Sequence, residues 1–201
     1  MEVITLNNET FFEKCSELMS RVDFKPDTIV GILNGGGYVV NGIKKGKEFE
    51  SVQFKLIKLQ RDNWLKNVFL IKLVLSVLPC KISDRLRIFE SKKAKKVINK
   101  LNLDQLSNYN IDFHLKSTPN QSSQNILIID DAIDTGRTMF IVKNNLNRLF
   151  PNSQIKTAVI SWTIENSIIQ PDYYLFKNTL VRFPWSKDYK GKDFEKKSFS
   201  S

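Results

Sequence analysis

Three carboxylates, Asp130, Asp131 and Asp134, are followed at once by Thr135, Gly136, Arg137 and Thr138. Small hydroxyl residues and a glycine at the start of a helix present backbone N–H groups to an anion, which is how α/β proteins hold phosphate. The N–H groups of Gly136, Arg137 and Thr138 are expected to converge there, with two hydroxyls beside them. The acids just upstream suit ribose hydroxyls or a divalent cation. A phosphate cradle beside a diol or metal site points to a phosphorylated sugar.

The elements that must position these groups are legible around them. The stretch from Asn125 to Met139 reads NILIIDDAIDTGRTM. Its apolar core, Ile126 to Ile129, predicts a strand buried on both faces, ending at the acid pair. The apolar-periodic run from the Thr-Gly turn through Leu149 predicts a helix. Upstream, Thr28 to Leu33 predicts another strand, followed by Asn34-Gly35-Gly36-Gly37 and a helix over Tyr38 to Lys44. That second strand–glycine–helix junction also places amides at a helix N-terminus. Neither GxGxxG nor GxxxxGK[ST] occurs, so a Rossmann dinucleotide site and a P-loop are unsupported.

The segment IIDDAIDTGRT resembles the phosphoribosyl-pyrophosphate (PRPP) motif of the type I phosphoribosyltransferases: an apolar strand, two acids, two small or apolar residues, then Asp-Thr-Gly-x-Thr. The Asp-rich motif of prenyl-chain synthases uses similar letters but lies on a helix. The haloacid dehalogenase motif needs one residue between its two aspartates, and Asp131 and Asp134 are separated by two. The resemblance implies that Asp130 and Asp131 hold the ribose hydroxyls directly or through Mg²⁺, and that Thr135, Gly136, Arg137 and Thr138 anchor the 5′-phosphate. Asp134 would take the proton from the attacking nitrogen. GILNGGG looks like the pyrophosphate loop after the first strand, which gives Asn34, Gly35 and Gly36 to PRPP. The family often has Arg or Lys where this chain has Asn34.

Near the end of the chain, PDYY followed by FPW resembles the purine, xanthine-guanine-like members, in which this stretch builds a hood over the base. Two features of that subgroup are absent. No Lys occurs between Ala158 and Gln170, where Ile164 or a neighbour takes the place of the purine-oxygen ligand. Leu180 stands where an aromatic would stack on the base. The resemblance thus predicts an intact sugar-phosphate half and an altered base half. Other members close a mobile loop ahead of the motif strand, to which Lys116, Ser117 and Thr118 would belong; a plain linker reads as well.

The rest of the chain fits this frame. Its 201 residues suffice for one α/β domain with a real core. The net charge of +10 favours an anionic partner, for which PRPP, RNA or an acidic surface would serve. Cys15 and Cys80 form no CxxC or Cys/His pattern and read as reduced residues of a cytoplasmic protein. A first helix is expected over Glu9 to Arg21, capped by Asn7 or Asn8, with Phe11, Phe12, Cys15, Leu18 and Met19 on one face. Ser51 to Leu59 predicts a strand with Arg61 near its carboxyl end, a speculative pyrophosphate ligand or an exposed cation. Trp64 to Leu78 is apolar but short for a bilayer and carries Lys66 and Lys72, so it predicts a packed or subunit-facing helix and no membrane span. Ser83 to Leu101 predicts a basic helix capped by Ser83 or Asp84, a solvated face by default. Asn102 to Gln124 predicts an irregular polar stretch, in which the one histidine, His114, reads as a surface residue. Lys156 to Trp162 predicts a further strand.

The expected architecture is therefore α/β, of the type I phosphoribosyltransferase-like fold: a central, mostly parallel sheet flanked by helices, with a small hood. Residues 1–185 form the domain, and 186–201 a charged, mobile tail short of apolar anchors. The implied activity is Mg²⁺-dependent transfer of phosphoribose from PRPP to a purine-like nitrogenous acceptor by a homodimer, with nucleic acid not a partner. The competing expectation is a non-catalytic regulator that keeps the PRPP pocket and uses its basic surface on nucleic acid.

Overall fold

The computed structural model describes residues 1–44, 49, 51–59, 79–111 and 124–195. Arg61, the Trp64–Leu78 run, His114 and Lys116 to Thr118 lie outside the described residues. The central sheet has five strands: β2 (Thr28–Ile32), β3 (Gln53–Ile57), β4 (Asn125–Ile133), β5 (Gln154–Trp162) and β6 (Tyr173–Lys177). Their order is β3-β2-β4-β5-β6, and every pairing is parallel.

Parallel strands bury both faces, and the side-chain alternation shows which helix covers which. Ile29, Leu127, Ile129, Ala158 and Ile160 pack with helices α1 (Asn8–Ser20) and α2 (Gly35–Ile43) through Phe11, Cys15, Leu18, Val39 and Val40. Val30, Ile32, Ile126, Ile128 and Val159 face the other way, onto Met139, Val142 and Leu146 of a long helix, Arg137–Leu149. Ahead of that helix in the chain come α3 (Cys80–Ile98) and α4 (Leu103–Ser107), so it is α5. The capping of α1 is by Asn7, whose side chain accepts from the N–H of Thr10 at 2.8 Å while Thr10 Oγ1 accepts from Asn7 N–H at 2.9 Å.

Several expectations are corrected. The motif strand does not end at the acids: β4 runs on to Ile133, with Asp130 opposite Val159 and Ala132 opposite Ser161. The neighbouring strand β5 extends equally far, so the ladder outlasts the apolar core. The second helix begins at Gly35, not Tyr38, which puts the glycines in its first turn. Helix α3 starts at Cys80 after Pro79, not at a Ser83 or Asp84 cap, because Ser83 is turned into the interior. Part of the expected irregular stretch is helical, as α4, capped by Asn102.

The expected hood also divides. Tyr173–Lys177 is the edge strand of the central sheet, pairing with β5. Only β7 (Thr179–Arg182) leaves that sheet, to pair in parallel with β1 (Glu2–Thr5), a strand the sequence reading does not include. The tail after residue 185 has anchors through Glu195 that a count of apolar residues overlooks. Asp188 is 1% exposed and bridges Arg87 and Arg182, and Phe194 packs on Tyr38 and Trp185.

Candidate active site

The order β3-β2-β4 means that the chain leaves β2 toward one side of the sheet and β4 lies on the other. Loops following two such strands diverge and leave a crevice at the carboxyl edge, where α/β sheets bind ligands. Both sequence-predicted segments, Asn34 to Gly36 and Asp130 to Thr138, arrive at this edge.

They meet closely. The N–H of Gly36 donates to Asp130 Oδ1 at 3.1 Å, and the N–H of Asp131 donates to the same oxygen at 2.9 Å. A Cβ at Gly36 would stand 2.4 Å from the carbonyl oxygen of Ile129, and one at Gly35 would stand 2.1–2.2 Å from the carboxyl atoms of Asp131. Only glycine permits this approach. The amide of Gly36 is therefore occupied by Asp130, so the first turn of α2 already donates to an acid of this chain.

The two acids are half-buried neighbours. Burial, and next the Asp131 charge, push the Asp130 carboxyl well above the usual carboxylate range. Burial also raises Asp131, opposed by hydrogen bonds from Asp130 and from the Trp185 indole. Of the two, Asp130 is the one pushed further from its ordinary value. Asp131 Oδ1 accepts from Ala132 N–H at 2.9 Å, and Oδ2 from Trp185 Nε1 at 3.2 Å.

Beyond the strand, Asp134 is exposed and its Oδ1 receives a short hydrogen bond from the hydroxyl of Thr163, a buried residue just past β5. Gly136 caps α5 in the left-handed region, φ 85°, which glycine adopts without cost. It lies under Ile168 and Ile169, and the N–H of Ile168 donates to the Thr135 carbonyl at 3.0 Å. Arg137 N–H points to Thr135 Oγ1 at 3.4 Å. Thr138 is exposed in the first turn of α5. The chain after β5 thus roofs one side of the turn Asp134 to Arg137.

Sequence reasoning missed Thr163, Ile168, Ile169 and the contact of Trp185 with Asp131. The absence of a Lys between Ala158 and Gln170 pointed at that stretch; Ile164 is buried, and the side chain that faces Asp134 is Thr163. Leu180 lies in β7 opposite Val3 and is nearly buried. Among the described residues, no group of three or more His, Cys, Asp or Glu side chains is arranged to hold a metal ion by itself. No described helix is long and apolar enough to cross a membrane.

No protein-family model and no curated protein matches the chain. Solved structures do. A purine phosphoribosyltransferase from Pyrococcus horikoshii Ot3 is similar over 98% of this chain and 100% of its own, at 17% identity and a TM-score of 0.57. A Helicobacter pylori xanthine-guanine-hypoxanthine phosphoribosyltransferase is similar over 92% and 90%, at 16% identity and a TM-score of 0.51. A Trypanosoma cruzi hypoxanthine phosphoribosyltransferase is similar over 93% and 84%, at 14% identity and a TM-score of 0.52. The chain has the fold of these enzymes, the type I phosphoribosyltransferase fold, here with an all-parallel central sheet.

Proposed function

We propose that this chain, built on the phosphoribosyltransferase fold, transfers 5-phosphoribose from PRPP to a nitrogenous, purine-like acceptor and releases pyrophosphate. The observation that carries this reading is the contact of the Gly35–Gly36 turn with the adjacent carboxyl groups of Asp130 and Asp131, just ahead of the Thr135–Thr138 turn, at the switch point of the sheet. The acid pair, the exposed Asp134 and the Thr135–Thr138 turn follow one another in the chain from β4 into α5, in the order that binding a sugar diol, an acceptor and a 5′-phosphate would use.

In this reading Thr135, Gly136, Arg137 and Thr138 bind the 5′-phosphate at the N-terminus of α5, remote binding that fixes the sugar for reaction. Asp130 and Asp131 orient the ribose hydroxyls, and their negative charge suits the cationic ring that forms as pyrophosphate departs. Asn34, Gly35 and Gly36 border the pyrophosphate side. Two adjacent carboxyl groups, all-oxygen donors raised in pKa by burial, fit a hard divalent ion such as Mg²⁺, whose charge would favour their ionised forms; Asp130 and Asp131 would hold it, directly or through the sugar. When bound, the ion would neutralise charge developing on the leaving pyrophosphate. Asp134, exposed and aimed by Thr163, would accept the acceptor's proton.

The test is pyrophosphate release from PRPP and Mg²⁺ across purines, pyrimidines and other nitrogen nucleophiles. Release with one acceptor establishes the reaction and names the substrate; absence of PRPP binding by calorimetry rejects the reading.

One observation favours the competing regulator. On α3, Lys81, Arg85, Lys92, Lys93 and Lys96 are exposed, and so is Phe89 (55%), with the Lys93 ammonium 4.6 Å from its ring. Salt-dependent nucleic-acid binding without PRPP turnover would support that reading instead.

A further inference from the structure

We propose that Trp185 is a positioning residue for Asp131, fixing the carboxylate of the sugar site through its indole N–H; this rests on the phosphoribosyl-transfer reading. Asp131 has little freedom. Gly35 presses on its carboxyl group from α2, and Ala132 N–H holds Oδ1 at 2.9 Å. The other oxygen, Oδ2, accepts from Trp185 Nε1 at 3.2 Å, across 54 residues of sequence.

A side-chain donor orients its acceptor only if the donor is itself held. This indole is. Tyr38 stacks on it at 4.5 Å and 16°, and Phe183 at 4.8 Å and 7°. Phe11 meets it edge-on at 4.9 Å and 85°, and Phe194 lies 5.8 Å away. Those rings come from α2, α1, the segment after β7 and the tail, so four parts of the chain fix one N–H. Tyr38 belongs to the helix that also carries Gly35, so both supports of Asp131 share a frame. Losing the N–H leaves Oδ2 without this donor while the stack persists, and the carboxylate gains a rotation that the sugar hydroxyls must then arrest.

Trp185→Phe keeps a ring and removes the donor. PRPP affinity measured by calorimetry is expected to fall about tenfold, in line with a hydrogen bond to a charged acceptor, with KM rising in step and kcat within about threefold of the parent. Phe194→Leu changes the most distant of the four rings and leaves Tyr38, Phe183 and Phe11 to hold the indole with its N–H; its PRPP affinity is expected to stay within about twofold. An unchanged affinity in Trp185→Phe, or equal losses in both variants, overturns the proposal. Where Trp185→Phe fails to fold, the Nε1–H NMR resonance of Trp185, assigned by elimination, is compared between the parent chain and Asp131→Ala. A shift is expected whether or not PRPP binds, and no shift overturns the inference. Failure of the parent chain to bind PRPP, with that shift present, instead rejects the sugar-site reading and, with it, any part for Trp185 in substrate binding.

Discussion

At the scale of single residues, the crevice separates two kinds of carboxylate. Asp130 and Asp131 are recessed, are raised in pKa by burial, and accept bonds from the backbone and an indole. Asp134 is exposed and takes one aimed hydrogen bond from Thr163. The recessed pair suits static binding of hydroxyls or a cation, and the exposed group suits proton exchange with an incoming acceptor. Asp134→Asn is accordingly expected to leave PRPP affinity within about twofold and to lower kcat by about 10²–10⁴, the usual contribution of a general base. Single-turnover kinetics with saturating PRPP would check this, and an unchanged rate would remove Asp134 from proton transfer.

At the scale of elements, the site is a contact between the start of α2 and the end of β4, and the two glycines there have different neighbours. A Cβ on Gly36 meets the backbone oxygen of Ile129, which cannot swing aside. Gly36→Ala should therefore cost about 1–3 kcal/mol of stability, read by thermal or urea unfolding. A Cβ on Gly35 meets first the Asp131 carboxyl group, a side chain that can move, so Gly35→Ala should displace that group and weaken PRPP binding more than it lowers Tm. Much of this scale was legible in the sequence. Ile126 to Ile129 announce a doubly buried strand by their uniform apolarity, and the Thr-Gly turn announces α5. What was illegible depended on partners elsewhere. The extension of β4 through Asp130 and Asp131 is stabilised by β5, and polar letters alone signal a turn. Likewise, β1 is four residues long and acquires its identity from β7. Thr163 and Trp185 reach the acids from 29 and 54 residues away, and no spacing rule connects such positions. The PDYY stretch, read as part of a hood, was not legible as a sheet edge, since its alternation of Tyr173 and Leu175 against Tyr174 is visible only once β5 lies beside it.

At the scale of the whole molecule, a buried ionic cluster joins parts that the central sheet does not. Arg182, on β7, donates to Asp188 at 2.9 Å, to Thr5 on β1 at 2.8 Å and to Ser83 on α3 at 2.9 Å, and it also pairs with Asp84. Arg87 completes the set, meeting Asp188 at 2.5 and 2.8 Å. Burial alone would raise the Asp188 carboxyl, but the guanidiniums of Arg87 and Arg182 hold it far below the usual carboxylate range. Because its folded value lies below the unfolded one of about 3.9, Asp188 stabilises the fold above that pH, and the contribution is lost as pH falls toward the folded value. Asp188→Asn removes the anion that Arg87 and Arg182 share, leaving Arg182 with Asp84 alone, and should cost about 3–5 kcal/mol at neutral pH. The difference from the parent in urea unfolding should shrink below pH 4; a constant difference would contradict the ionic origin. The pairing of β1 with β7 has a consequence for how the protein is made. Thr5 and its partner Arg182 are 177 residues apart. At translation rates of about 5–20 residues per second, β1 leaves the ribosome roughly ten to thirty seconds before its mate exists. The nascent chain must carry β1 with its backbone N–H and C=O groups unpaired throughout, so this small sheet forms only after the central strands have been made.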